Sequence, residues 1–216
     1  MNITWHGDCF FQVAVQKEKN DNVNIAIDYH PRFKSSRIKA DILLLTEKEE
    51  FLNNDLDGCF IVSSPGEYEV KGVFVRGIPQ KNGKSFYFIE AEGITLCHLG
   101  KFNEKELSSE QQEAINNVDI LIVPVGGGSS LDAKGALQII SQIEPRIVIP
   151  MNYKTKNRGG IETLKTKEKL EGVEEFLKVM GIKNNKEELP RLNIKLRDFS
   201  SEEMVFFKCL LFGGCR

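Results

Sequence analysis

Val118-Asp119-Ile120-Leu121-Ile122-Val123-Pro124-Val125-Gly126-Gly127-Gly128 reads as a buried strand that ends in a glycine turn. Residues 133–143 follow with Ala136, Leu137, Ile140 and Ile143 at helical spacing, and Asp132 stands at the N-cap position. Residues 145–151 are a second buried strand. Strand, helix and strand with short connections make a βαβ unit, which anchors the reading of the chain on either side.

Upstream, residues 1–99 read as a string of short strands over 3–5, 9–15, 23–28, 41–46, 59–62, 68–78, 85–91 and 94–98. Residues 41–46 are of the buried type, because Leu43, Leu44 and Leu45 are continuous rather than alternating. Asn82-Gly83 predicts a type I′ turn joining 73–78 to 86–89, and Glu92-Gly93 marks a second turn. Leu107-Ser108, with Gln111 three residues on, predicts a capping box that opens a helix running to about Asn116. Residues 172–180 form a helix closed by Gly181. Closing strands are expected over 192–196 and 204–211.

The composition excludes several classes. The 216 residues are 41% hydrophobic and 28% charged, enough for a sizeable core and inconsistent with disorder. The net charge of -2 gives no reason to expect nucleic acid or anionic lipid as a partner. The longest apolar runs fall far short of the roughly 18 residues of a membrane span, and the first residues lack the basic region of a signal peptide. A cytoplasmic protein is the expectation. Five scattered cysteines without a C-x-x-C pair argue against a disulfide framework or a zinc ribbon. Between Lys154 and Arg197, 12 basic residues are interleaved with 7 acidic ones, the pattern of a solvated face. The three histidines, His6, His30 and His98, are too few and too far apart in sequence for an imidazole cage.

Further strings extend the pattern: Ile3-Thr4-Trp5-x-Gly7, Ala26-Ile27-Asp28, Ala40-Asp41-Ile42-Leu43-Leu44-Leu45-Thr46, Ser64-Pro65-Gly66-Glu67-Tyr68-Glu69-Val70-Lys71-Gly72, Leu96-Cys97-His98-Leu99-Gly100, Leu131-Asp132-Ala133, and Ile147-Val148-Ile149-Pro150-Met151-x-Tyr153. In this order and spacing the chain resembles the metallo-β-lactamase superfamily over about residues 1–182, in particular its ascorbate-phosphate-lactonase-like, Zn-dependent hydrolase branch. The resemblance implies an α+β fold, a metallo-β-lactamase-like αββα sandwich of two mixed sheets with outer helices. It also implies one domain over residues 1–216, with zinc as the family cofactor.

The chain departs from that family at its ligand positions. The resemblance places a His-x-His-x-Asp-His block after Thr46, where imidazole and carboxylate groups from one loop converge on metal. Here those positions hold Glu47, Glu49, Phe51 and Leu52. The loop after Gly77-Ile78-Pro79 lacks the family's histidine, Lys101 replaces a bridging aspartate, and Asn152 replaces a last histidine. His98 matches a position that is not a ligand in the family.

These departures lead to the expectation of no metal, no catalytic residue and a vestigial cleft of Glu47, Glu49, Phe51, Leu52, His98, Lys101 and Asn152. Glu47 to Glu50 reads as an acidic solvated loop; the alternative is that a Lys101 ammonium stands where metal charge would stand and pairs with Glu47 or Glu49. His98 reads as a satisfied structural histidine, His6 and His30 as surface or loop residues, and the three glycines after Val125 as a close backbone turn. The leading functional reading is a metal-free binding or regulatory scaffold, self-association included. The alternatives are a hydrolase with a hard cation on Glu47 and Glu49, and a small-molecule or phosphate-binding module in the old cleft.

Overall fold

The structure is a computed structural model that describes residues 1–18, 21–29, 38–47, 58–155, 169–182, 188–189, 191–199, 208–209 and 211–212. The first mixed sheet starts with β1 (Asn2–Gly7), β2 (Phe10–Glu18) and β3 (Asp21–Ile27) as an antiparallel meander. It continues in parallel through β4 (Ile42–Leu44) and β5 (Phe60–Val62). The second mixed sheet holds β6 (Gly66–Val70), β7 (Val73–Pro79), β8 (Ser85–Ala91) and β9 (Ile94–His98) in antiparallel order. Parallel strands β10 (Ile120–Pro124) and β11 (Ile147–Met151) complete its described centre. Every residue of β10 and β11 is buried, as their unbroken apolar runs require.

The main core lies between the sheets. Ile3, Trp5, Phe11, Val13, Ile25, Ile27, Ile42 and Leu44 of the first sheet join one cluster with Val75, Ile89, Leu96 and Ile122 of the second. Period-two alternation sends Phe10, Ala26 and Leu43 to the other face of the first sheet, into a smaller cluster with Tyr29, Ile38, Ala40 and Cys59. Helix α1 (Ser109–Ala114) packs on β7, α2 (Ala133–Ile143) on β10, and α3 (Val173–Val179) on α2. The described helices therefore flank the second sheet. Both halves of the capping box at Ser108 and Gln111 are made, and the Asp132 carboxylate accepts the Gly135 N–H at 2.8 Å.

Several turns differ from expectation. Asn82 keeps a negative φ and only Gly83 is left-handed, at +81°. The Gln80 N–H donates to Lys84 O and the Gly83 N–H to Gln80 O, so the loop has three residues and closes with a glycine bulge rather than a type I′ turn. Both central residues are left-handed instead at Glu92-Gly93 and at Lys71-Gly72. The latter divides the single strand expected over 68–78 into β6 and β7. The strand expected over 192–196 shortens to a two-residue β13 (Leu192–Asn193), after which Leu196–Phe199 forms a 3-10 turn. Ahead of β13 in the chain stands β12 (Glu188–Leu189); β14 (Lys208–Cys209) pairs with β11 and β15 (Leu211–Phe212) with β12. The rest of the strand expected over 204–211 lies outside the described residues.

Candidate functional site

The chain direction of the parallel strands decides where the polar residues gather. Asp28 follows β3, Thr46 and Glu47 follow β4, His98 ends β9 with Lys101 just beyond it, Gly126 to Gly128 follow β10, and Asn152 follows β11. All stand at the carboxyl ends of strands, where open α/β sheets place their clefts. The β1–β2 turn at Asp8 reaches the same end: the Asn152 N–H donates to Asp8 O at 3.2 Å.

Glu47 is the centre of this cluster. Its Oε2 lies 3.7 Å from Lys101 Nζ, and its Oε1 pairs with Lys84 Nζ. One carboxylate from the first sheet thus holds two ammonium groups from the second. The three side chains are 25%, 25% and 28% exposed, so the ion pairs are shielded but reachable. Glu49, Phe51, Leu52 and His30 lie outside the described residues.

Both ring nitrogens of His98 are engaged, and Asn152 is held through its Nδ2. The Gly100 N–H donates to His98 Nδ1 at 3.2 Å, which puts the ring proton on Nε2, where it donates to Cys9 O at 3.0 Å. Burial pushes the imidazole down to about 4. Asn152 has a left-handed φ of +49°, and its Nδ2 donates to Ser130 Oγ at 2.9 Å. Ser130 in turn donates to Gly127 O at 3.0 Å. The glycine turn makes a tight fit: a Cβ on Gly126 would stand 2.2 Å from Asn152 O. His6, expected at the surface, is half-buried on β1 and stacks on Phe10 at 4.5 Å, with burial lowering its pKa.

Sequence reasoning placed Asp28 only within the Ala26-Ile27-Asp28 string, with no site role, and did not single out Lys84. Asp28 follows β3 with φ +53°, and Thr46 donates to it twice, N–H to Oδ1 and Oγ1–H to Oδ2, each at 2.7 Å. Burial raises its carboxyl to about 7 against the opposing Thr46 hydrogen bonds. The available signal was its place after a buried run, opposite the end of β4. Lys84 had no signal in the one-dimensional pattern.

His98 and Asp28 have opposite linkage signs. His98 binds its proton more weakly when folded, so it lowers stability as pH falls from 6.5 toward about 4. Asp28 binds its proton more strongly when folded, so it raises stability as pH falls from about 7 toward 3.8. In the parent chain the two effects offset each other. Asp28→Asn should unmask the histidine: relative to the parent, urea-derived stability should fall on acidification by up to roughly 1.4 kcal/mol per pH unit between those limits. Parallel profiles for parent and variant would refute an elevated Asp28.

Among the described residues, no three His, Cys, Asp or Glu side chains form a group that could hold a metal ion. The model of the beta-lactamase superfamily domain matches residues 2–152. The chain belongs to the metallo-β-lactamase superfamily. A UPF0173 protein of Pyrococcus furiosus is 32% identical over 195 residues, 76% of this chain and 89% of the relative. A UPF0173 metal-dependent hydrolase of Carboxydothermus hydrogenoformans is 32% identical over 106 residues, 42% of this chain and 45% of the relative. Among solved structures, a protein of Thermotoga maritima named as a candidate Zn-dependent hydrolase of the superfamily superposes with a TM-score of 0.74. It is 26% identical, and the match covers 98% of this chain and 97% of that one. The superfamily's two-sheet fold is present across the described strands, and no described helix is long and apolar enough to cross a membrane.

Proposed function

We propose that this chain is a metal-free, non-catalytic member of the superfamily, in which the hydrolase cleft has become an ionic junction and the scaffold serves binding or regulation, self-association included. We take residues 1–216 as one domain of a cytoplasmic protein. The observation that carries the reading is the Glu47 carboxylate held between Lys84 and Lys101. Glu47 and Lys101 occupy positions where the family resemblance implies a histidine and an aspartate, and Lys84 comes from the hairpin that replaces a histidine loop. The site chemistry does not fit zinc. Ammonium groups donate no lone pair and repel a divalent cation, His98 has both ring nitrogens engaged, and a neutral Asn152 amide is a poor zinc ligand.

Elemental mass spectrometry on protein purified without chelator, then challenged with Zn²⁺ and Mn²⁺, is the direct test. The expected stoichiometry is near zero, with no metal-stimulated hydrolysis of lactone or phosphoester substrates. Tight binding of one or two ions per chain would overturn the reading and favour a hydrolase with Glu47 and Glu49 as hard-cation ligands. Saturable phosphate binding without turnover would instead favour a ligand-binding cleft built on Lys84 and Lys101.

A further inference from the structure

Tyr87 Oη reaches Leu45 O and Val62 O on the first sheet, so Tyr87 faces inward and its neighbour Phe86 faces outward. Ile78 pairs with Phe86 across the β7–β8 hairpin, and the Phe86 ring meets Phe102 at 5.7 Å. Alternation places Gln80 on the same outer face as Ile78, toward the loop that runs on from Phe102. Glu104 of that loop accepts the Lys81 N–H on Oε1 at 2.8 Å, and Asn82 Nδ2 donates to Asn103 Oδ1 at 3.3 Å. Hairpin and loop are thus latched side by side. Inside the latch, Gln80 is 5% and Glu104 8% exposed. Among the described residues, Gln80 Oε1, Gln80 Nε2 and Glu104 Oε2 have no hydrogen-bond partner. The Lys81 ammonium lies 3.8 Å from Glu104 Oε2, beyond hydrogen-bonding reach, on a side chain that is 79% exposed.

Buried charges are paired or hold cations, and buried amides left without partners are costly. Glu104 Oε2 and Gln80 Oε1 are hard oxygen donors that together carry a single negative charge. One univalent cation balances that charge, whereas a divalent ion would leave buried positive charge beside Lys81. We propose that Gln80 and Glu104 form a binding site for one univalent cation, an alkali-metal or ammonium ion, that clamps the β7–β8 hairpin to the loop after β9. Gln80 Nε2 then donates to a water in the shell of the ion. The Lys81 ammonium is the built-in competitor for the same carboxylate oxygen. The site uses none of the residues of the Glu47 junction, so it is independent of the metal-free reading of the cleft.

The test is the melting temperature at fixed ionic strength in potassium, sodium or ammonium chloride, with choline chloride as the ion too large to enter. At least one of the three small cations should raise it saturably over choline, and their ranking identifies the preferred ion. Glu104→Gln and Gln80→Met should each remove the rise. Lys81→Ala, a substitution at an exposed side chain, should move the rise to concentrations about threefold lower or more, because a competing positive charge is gone. Should Glu104→Gln fold poorly, Gln80→Met and Lys81→Ala still decide the matter. Equal melting temperatures in all four salts, for the parent and Lys81→Ala alike, would overturn the site and leave ordered water as its occupant. A cation effect that survives in the Glu104 and Gln80 variants would count against it equally, by placing the ion elsewhere. Uptake of zinc or manganese bears on the cleft alone.

Discussion

Zinc uptake should appear in a chain carrying Glu47→His, Glu49→His, Phe51→Asp, Leu52→His, Lys101→Asp and Asn152→His, with about one ion per chain. The substitutions return imidazole and carboxylate donors to the positions indicated by the family resemblance, and they remove one ammonium group from the junction. The structure adds Lys84→Ala to the set. Once Glu47 is replaced, Lys84 loses its carboxylate partner and remains as a cation beside the new ligands. Asn152→His carries its own cost, about 1 kcal/mol or more, because the position is left-handed and 3% exposed. Metal binding should outweigh this: free zinc at 100 times its dissociation constant stabilises the folded chain by about 2.7 kcal/mol. Calorimetric titration and the zinc dependence of the melting temperature measure the effect. The version that retains Lys84 should bind about tenfold more weakly or worse, since one lost interaction of about 1.4 kcal/mol changes affinity by that factor. A variant that folds and takes up no zinc would show that these positions do not surround one cleft.

Gly126→Ala should be the most damaging single-methyl change at this end of the molecule. The added Cβ would lie 2.2 Å from Asn152 O and 2.8 Å from Tyr153 Cα, so backbone rather than a flexible side chain would have to move. The loss should reach about 3 kcal/mol, the upper range for overpacking. Gly127→Ala is the control. Its φ is +77°, yet the nearest atom to the new Cβ is 3.8 Å away, so it should cost only the left-handed backbone, about 1 kcal/mol. Urea unfolding separates the two, and equal losses would mean that the turn is limited by conformation rather than by the approach of the β11 loop. An unfolded Gly126→Ala beside a folded Gly127→Ala would still rank them as expected.

Much of the architecture was legible because its causes are local. Residues 133–143 carried both the helical spacing and an aspartate at the N-cap, and α2 has those bounds. The continuous apolar runs of β10 and β11 correctly indicated burial on both faces. Hairpins were less legible. Asn82-Gly83 has the composition of a type I′ turn, but its loop closes around a Gln80–Lys84 pair, and the neighbouring strands decide which residue becomes left-handed. Lys71-Gly72 carried a weaker compositional signal, although it divides two strands.

The amino-acid order alone determined the strand–helix–strand frame, the superfamily resemblance, and the absence of histidine from the positions that the resemblance assigns to metal. Each is a property of residue type and spacing, which folding does not alter. The resemblance also suggested Glu47 or Glu49 as a partner for Lys101. Only the tertiary structure selected Glu47 as a described partner, added Lys84 from a hairpin 37 residues away, and brought Asp28 to Thr46 across 18 residues. The physical reason is that charge pairing and desolvation depend on through-space distance. Two sheets meeting at their carboxyl ends set those distances, and no local pattern in the chain encodes them.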